Sequence, residues 1–453
     1  MKIVIIGGGM VGFTIASQLT NEGHDITVVD RNPAVADQIS DSLDCMALAG
    51  NGASLEVMRS ADVPGSDLLI ACTAQDELNM LCCIFAKKLG CRSTIARVRT
   101  PEYADQMYFF QEELGLSMTI NPELNAAREM FKLLEIPGVL KRDSFAKGRV
   151  EIVEIVPKPG DMLDGTKLLD LPKKLKSRVL VAAVQRGGEA IIPSGGFRLE
   201  AGDELYMTGA PKEVEKAFRK MGMLKKPIEN VLITGGGKAT YYLAQALSDQ
   251  FHVKIIERSH DRAQELAETL PNAVVLLGDA ADHELLNEEG LRDADAFVAM
   301  TGIDEGNILS AMYAKQLGVD KVICKVNTDH LKSLSRSIGI DSIVSSKNVT
   351  ANTIVRVVRA YAAGEGEGNV RALYRIAEDK AEMLEFAASA DMTGIIGVPL
   401  KDLKLKPNIL IGCIVRKNRA IIPGGADVIE PNDRVLVCTA GRRLTELTDI
   451  LGA

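Results

Sequence analysis

Gly7, Gly9 and Gly12 stand in G-x-G-x-x-G order between the apolar run KIVII and an uncharged helical stretch. Each glycine of such a loop has a task. The first permits a tight turn, the second lets backbone approach a pyrophosphate, and the third lets helix and strand pack closely. The helix after the loop offers unpaired N–H groups and partial positive charge to phosphates. Asp30 ends the next apolar run, DITVVD, eighteen residues after Gly12. A carboxylate there accepts hydrogen bonds from ribose hydroxyls and repels a 2′-phosphate, which favours NAD over NADP. Arg31 blurs that preference, because arginine pairs with the same phosphate.

The whole arrangement occurs twice. VIIGGG at Val4–Gly9 returns as LITGGG at Leu232–Gly237, 228 positions later. ACTAQDELNML and AKKLG of the first half return at the same offset as AMTGIDEGNIL and AKQLG. Glu257 supplies the acid of the second copy. Its third glycine is replaced by Thr240, and Lys238, Tyr241 and Tyr242 stand nearby. Thr240 puts a side chain where helix and strand should touch, so either the helix tilts or the pocket changes shape. Lys238 reads either as a phosphate partner or as a solvated charge. Thr73 and Thr301 come just after apolar strands and read either as ribose or phosphate contacts or as helix caps, with Asp76 and Asp304 as rival caps. Asn51 and Asp279 face the same rim. Arg97 reads as a cation near phosphate or as one half of a surface ion pair.

The surrounding elements must hold these groups at one end of a sheet. KIVII, DITVV, DLLIAC and STIARV are short β-branched runs separated by helical patterns at Gly12–Asn21 and Glu77–Leu89. That order predicts βαβ units and a parallel sheet. The segments after each such unit also match one another: EAIIPSGGFRLEAGDELYMTG resembles RAIIPGGADVIEPNDRVLVCTA. The fold class expected is α/β, with two Rossmann-like domains, each followed by a small α+β module, in the order A–B–A′–B′. The expected boundaries are 1–140, 141–224, 225–362 and 363–453. The expected junctions are KRDSFAKGR (Lys141–Arg149), MGMLKKPIE (Met221–Glu229) and the glycine- and glutamate-rich AAGEGEGNV (Ala362–Val370). In the small modules, VEIVEIV, RVLVAAVQR and DELYMTG read as strands, with hairpin-type turns at Gly202-Asp203 and Asn432-Asp433.

Composition narrows the function classes. The chain has 453 residues, 46% apolar and 25% charged, with no tryptophan, so its cores are aliphatic. A formal charge of −8 argues against a broad nucleic-acid surface. The eight cysteines form no CxxC pair and read as reduced, packed thiols. The five histidines show no ligand spacing, so no structural metal is expected. The uncharged run Ile3–Leu19 is broken by glycines and preceded only by Lys2, which speaks against both a spanning anchor and a signal peptide. A dehydrogenase needs an acid or base set against the nicotinamide. The modules after each Rossmann unit hold no histidine. The duplicated plan therefore reads better as a sensor than as an enzyme, with a soluble NAD(P)-dependent oxidoreductase as the alternative and a nucleotide-independent scaffold as a third reading.

MKIVIIGGGMVG, DITVVD, GNGAS, ACTAQDELNM and IARVRTPEY, with ITGGG, VKIIER, GDAADHELL and AMTGIDEGNILSAMYAKQLG, carry a resemblance over essentially the whole chain. It resembles the TrkA family of tandem regulator-of-potassium-conductance (RCK, KTN) proteins. The resemblance implies a cytoplasmic regulatory subunit, peripheral on the membrane and often a homotetrameric ring. Its implied partner is a membrane potassium-translocating subunit of the TrkH/TrkG type. It implies NAD (NAD+ or NADH) as ligand, with ATP or ADP in several members, and no catalytic residues. Carried over by motif, the first site is Gly7, Gly8, Gly9, Met10, Val11, Asp30, Asn51, Thr73, Ala74 and Arg97. The second is Gly235, Gly236, Gly237, Lys238, Ala239, Glu257, Asp279 and Thr301. Lys238, Ala239 and Thr240 replace the family's usual Asn-Ile-Gly, which leaves the second ligand open. Met80, Cys83 and Met312 read either as subunit contacts or as core.

Overall fold

In the computed structural model, all residues are described except 105, 107–108, 110–114, 136–138, 224–226, 332–333, 335–337, 339, 341, 365–369, 378–379 and 453. The first domain is a parallel sheet of β1 (Lys2–Ile6), β2 (Asp25–Asp30), β3 (Met46–Ala49), β4 (Leu68–Ala71), β5 (Ser93–Arg97) and β6 (Met118–Ile120). Their order across the sheet is β3-β2-β1-β4-β5-β6. The crossovers include α1 (Met10–Asn21), α2 (Pro33–Ser42), α3 (Leu55–Ser60) and α4 (Asp76–Leu89), and α5 (Pro122–Glu135) comes after β6. Strand order reverses between β1 and β4, and that is where an open parallel sheet leaves its crevice. Ile3, Val4, Ile5, Leu68, Leu69 and Ile70 are wholly buried, as expected of strands covered by helices on both faces.

The same order recurs in the second half. β12 (Asn230–Thr234), β13 (His252–Glu257), β14 (Ala273–Leu277), β15 (Ala296–Ala299), β16 (Lys321–Lys325) and β17 (Ser342–Val344) lie as β14-β13-β12-β15-β16-β17. Here the helices include α7 (Lys238–Leu247), α8 (His260–Thr269), α9 (His283–Glu288), α10 (Asp304–Gln316) and α11 (Ser346–Gly364), with α6 (Pro211–Met221) closing the module before them.

The small modules are antiparallel. One sheet runs β10 (Glu189–Ile191), β9 (Val179–Arg186), β11 (Glu204–Gly209), β8 (Val150–Ile155) and β7 (Lys141–Phe145). The other runs β18 (Val370–Ile376), β19 (Ala381–Ala387), β22 (Arg434–Ala440), β20 (Ile409–Arg416) and β21 (Arg419–Ile421). Each is tied by an arginine fork. Arg186 donates to both oxygens of Asp203 at 2.7 and 2.8 Å, and Arg416 does the same to Asp433.

The chain does not fold as four beads in a row. Residues 1–131 and 229–355 form one compact unit, and residues 132–228 and 356–453 form the other. Like pairs with like. In the second unit one core draws on both modules, joining Phe145 and Ile152 to Met383 and Leu436. Ala146 N–H donates to Glu385 at 3.0 Å and the Tyr374 hydroxyl to the Ser144 carbonyl at 2.8 Å.

Some expectations need correction. The junction KRDSFAKGR carries a strand of the small module, since Lys141–Phe145 is β7, paired with β8 in antiparallel register. β7 ends the sheet, with Lys141 exposed and Phe145 buried. Of AAGEGEGNV, residues 365–369 lie outside the described residues, as do 224–226 of MGMLKKPIE. Gly202-Asp203 is a turn, closed by Asp203 N–H on the Glu200 carbonyl at 3.2 Å, but it joins no hairpin. Hairpins turn elsewhere, among them at Gly187-Gly188 between β9 and β10 and at Lys417-Asn418 between β20 and β21. Met80 and Cys83 face the core, at 9% and 0% exposure, whereas Met312 is 39% exposed.

Candidate functional site

The first crevice is built on three glycines whose geometry can be tested by adding a Cβ. Gly7 has φ +102°, a left-handed conformation that side chains rarely adopt, and sits against the Thr73 backbone. A Cβ at Gly12 would lie 1.9 Å from the Gly7 carbonyl oxygen, so only glycine lets α1 come this close to β1. A Cβ at Gly9 would meet nothing within 4 Å. Gly9 therefore leaves open space above the loop at the start of α1, where the first-turn N–H groups have no partners within the helix. Met10 is exposed and Val11 half-buried beside that opening.

Asp30 is fixed to the loop. Its Oδ2 accepts Gly8 N–H at 2.7 Å and its Oδ1 accepts Asn32 N–H at 2.8 Å. Each oxygen keeps a lone pair for a ribose hydroxyl. Asn51 is exposed on the same rim and holds its loop by accepting Ala53 N–H at 3.1 Å.

Thr73 caps nothing in the strict sense, since the N-cap position of α4 is Gln75, without a side-chain bond. Its hydroxyl donates to Asn79 Oδ1 at 2.7 Å and receives Gln75 N–H at 3.3 Å. Asp76 is no cap either. It accepts the N–H groups of Arg99 and Thr100 at 2.9 and 2.8 Å. Burial works to raise the Asp76 pKa, but these bonds and the Arg99 guanidinium outweigh it and hold the carboxyl below its usual value. Arg97 turns inward, donating to the Thr73 carbonyl at 3.2 Å and lying 3.4 Å from Glu123. Burial lowers its pKa, Glu123 opposes that, and Arg99 adds to it. Arg99 in turn donates to the Ala74 carbonyl. Cys72, beneath the loop, is pushed up to about 12 by burial and stays a neutral thiol.

The second crevice repeats the plan with altered parts. Gly235 has φ +92°, and a Cβ at Gly237 would again meet nothing within 4 Å. Glu257 accepts Gly236 N–H at 2.5 Å and Ser259 N–H at 2.7 Å, as Asp30 does in the first copy. Thr240 resolves its close approach chemically: it is fully buried, and its hydroxyl donates to the Gly235 carbonyl at 2.5 Å. Ala239 is buried beneath the helix start. Asp279 is exposed and accepts Ala281 N–H at 2.9 Å, and Thr301 repeats the bonds of Thr73. Lys238 is half-buried and already has a partner. Its ammonium donates to Thr100 Oγ1 of the first domain at 2.9 Å. Nearby, Tyr242 donates to the Arg99 carbonyl at 3.0 Å, so α7 ties the two Rossmann domains together.

Three kinds of residue escape a reading by motif. Asn79 and Asn307, at 0% and 1% exposure, clamp Thr73 and Thr301 to the ends of β5 and β16. A signal exists, since both asparagines stand six residues after their threonine. Arg262 donates to the Gly236 carbonyl at 2.6 Å, and only the fold brings it there. Lys325 occupies the place of Arg97 and is recoverable from the 228-residue offset.

TrkA-N domains match residues 3–122 and 231–346, and TrkA-C domains match residues 152–222 and 386–452. The chain belongs to the TrkA family. It is 34% identical to the Trk system potassium uptake protein TrkA homolog 1 of Methanosarcina mazei, covering 99% of both chains. It is also 34% identical to the Trk system potassium uptake protein TrkA of Vibrio alginolyticus, over 98% of this chain and 96% of that one. Among solved structures, the GsuK channel aligns over 97% of this chain and 77% of its own, with TM-score 0.65 and 17% identity. GsuK bound to NAD aligns over the same shares with TM-score 0.63. These structures share the fold, the duplicated RCK plan of two Rossmann-like domains with their antiparallel modules. No helix among the described residues of this TrkA-family chain is long and apolar enough to cross a membrane.

Proposed function

We propose that this TrkA-family chain is a nucleotide-sensing regulatory subunit, not an enzyme, which gates a membrane potassium-translocating partner of the TrkH/TrkG type. NAD(H) is the ligand of the first crevice, through Gly7–Val11, Asp30, Asn51, Thr73, Ala74 and Arg97. ATP or ADP are further candidate ligands. The observation that carries this reading is the duplicated couple of glycine turn and acid, with Gly8 N–H on Asp30 at 2.7 Å and the space above Gly9 open. The names of the curated relatives and the NAD-bound GsuK neighbour support it.

The chain acts as a homotetramer at the inner face of the membrane, held there by its partner. A ligand shifts gating only by binding one arrangement better than another, and coupling of about 1–3 kcal/mol, roughly 5–150-fold, is the usual scale. The test is potassium flux through the reconstituted membrane subunit, with and without this protein, across NADH, NAD+, ATP and ADP. Flux is expected to depend on nucleotide only when the protein is present. Nucleotide-independent flux, or steady turnover of NADH with carbonyl substrates, overturns the proposal.

A further inference from the structure

Arg97 at the end of β5 and Lys325 at the end of β16 are repeat partners, and both donate back to the neighbouring strand end. Arg97 reaches the Thr73 carbonyl and Lys325 the Met300 carbonyl, each at 3.2 Å. Their nearest carboxylates differ in distance. In the first half, Glu123 is the second residue of α5, and its carboxylate lies 3.4 Å from Arg97 and 4.0 Å from Arg99. In the second half, α11 starts the same number of residues after β17, and its second residue is Lys347. An acid has become a base.

Lys347 is buried and paired with Asp329 at 2.8 Å. Lys325 has no carboxylate within 4 Å among the described residues, and Asp304 and Glu123 act on it only from farther away. Burial outweighs both and lowers its pKa. One oxygen of Asp304 is already held by the N–H groups of Asn327 and Thr328 and by the Thr328 hydroxyl. A partly buried cation whose counter-charges lie beyond contact distance is costly, and an incoming anion offsets that cost.

Lys325 is also well placed. The carbonyl it holds belongs to Met300, and the next residue, Thr301, lies directly against the second glycine turn. A Cβ on Gly235 would fall 2.8 Å from Thr301 Cα. The ammonium therefore stands at the carboxyl ends of β15 and β16, beside the floor of the second crevice.

We propose that Lys325 is an anion-binding residue of the second crevice and makes the two crevices select ligands of different charge. The first, where Glu123 neutralises Arg97, takes a ligand whose outer end is uncharged or cationic. The second takes a nucleotide whose outer end is anionic, such as a terminal phosphate. This inference rests on the nucleotide reading above and adds the ligand class of the second site.

ATP and ADP-ribose test it, because they share ADP and differ only in the group joined to its β-phosphate, a further phosphate in one and a neutral sugar in the other. Calorimetry on the full chain carrying Asp30→Ala, which weakens the first crevice, reads the second. Lys325→Met is expected to weaken ATP about tenfold or more, the scale of one charge-assisted contact, and to move ADP-ribose less than about twofold. Lys325→Arg is expected to keep ATP binding. Equal loss of both ligands in Lys325→Met, or no loss of either, overturns the inference and leaves the nucleotide reading standing. If the Asp30→Ala chain with Lys325 intact binds neither ligand, the nucleotide reading of this crevice fails and takes the inference with it.

Discussion

Replacing Gly12 by alanine adds one methyl group at the tightest contact in the first crevice. The new Cβ would stand 1.9 Å from the Gly7 carbonyl oxygen and 3.1 Å from Cys72 Sγ. The oxygen is backbone, in a turn fixed by Gly7 N–H on the Val29 carbonyl at 2.8 Å, so it cannot step aside. Helix α1 must move instead, by more than an ångström, and that movement lifts Ile15, Ala16 and Leu19 from a core in which all three are wholly buried. Overpacking usually costs about 1–3 kcal/mol, and a clash with fixed backbone belongs at the upper end. Alanine gains almost 1 kcal/mol of helix propensity over glycine, which leaves a net loss of about 2 kcal/mol. The displaced helix also carries its first-turn N–H groups away from the phosphate position. Hydrogen exchange should show faster opening of β1 and α1, by roughly thirtyfold for 2 kcal/mol, with the second Rossmann domain unchanged. Calorimetry should show weaker NADH binding at the first crevice. Unchanged exchange and unchanged affinity together would refute the close-approach argument. The converse change, Thr240→Gly, should also destabilise, because it removes a buried hydroxyl bonded at 2.5 Å and puts glycine inside a helix.

The same geometry sets other expectations. Asp30→Asn keeps the shape but leaves one of two backbone N–H donors facing an amide. We expect about 1–3 kcal/mol less stability by chemical denaturation and weaker NADH binding by calorimetry. The Asp76 carboxyl is held below its usual value of 3.8, so its contribution to stability is complete above that pH and is lost as pH falls through the lower folded value. Asp76→Asn should accordingly flatten the acid side of the stability profile measured by thermal melting, while lowering stability at neutral pH. Asp203→Ala breaks the fork on Arg186, whose side chain is 34% exposed. The usual cost of a broken buried pair, discounted for that exposure, is about 2 kcal/mol, readable as an earlier unfolding step of the small modules.

Much of this molecule is written locally. The apolar runs, the helix starts and the glycine turn are decided by residues within one βαβ unit, so spacing and residue type reveal them. Gly12 can be assigned its packing role because helix geometry sets the distance from a first turn to the preceding strand. Asp30 and Glu257 can be assigned because strand length puts them beside the loop. The repeat offset points to Lys325 and Asn307 as well, though their roles emerge only with the groups packed around them. In KRDSFAKGR polar composition hides a paired strand, because its partner β8 and the core that covers Phe145 come only with the packed sheet.

What the sequence alone determined is the pair of dinucleotide-type crevices and the fourfold alternation of large and small modules, since both arise from short-range pattern and repetition. Only the tertiary structure decided that large pairs with large and small with small. It alone put Lys238 on Thr100, Tyr242 on the Arg99 carbonyl, and Glu123 at 3.4 Å from Arg97 while Lys325 has no carboxylate within 4 Å among the described residues. Those contacts join residues about 20 to 140 positions apart, and their energies depend on distance and burial, which exist only once the chain is packed.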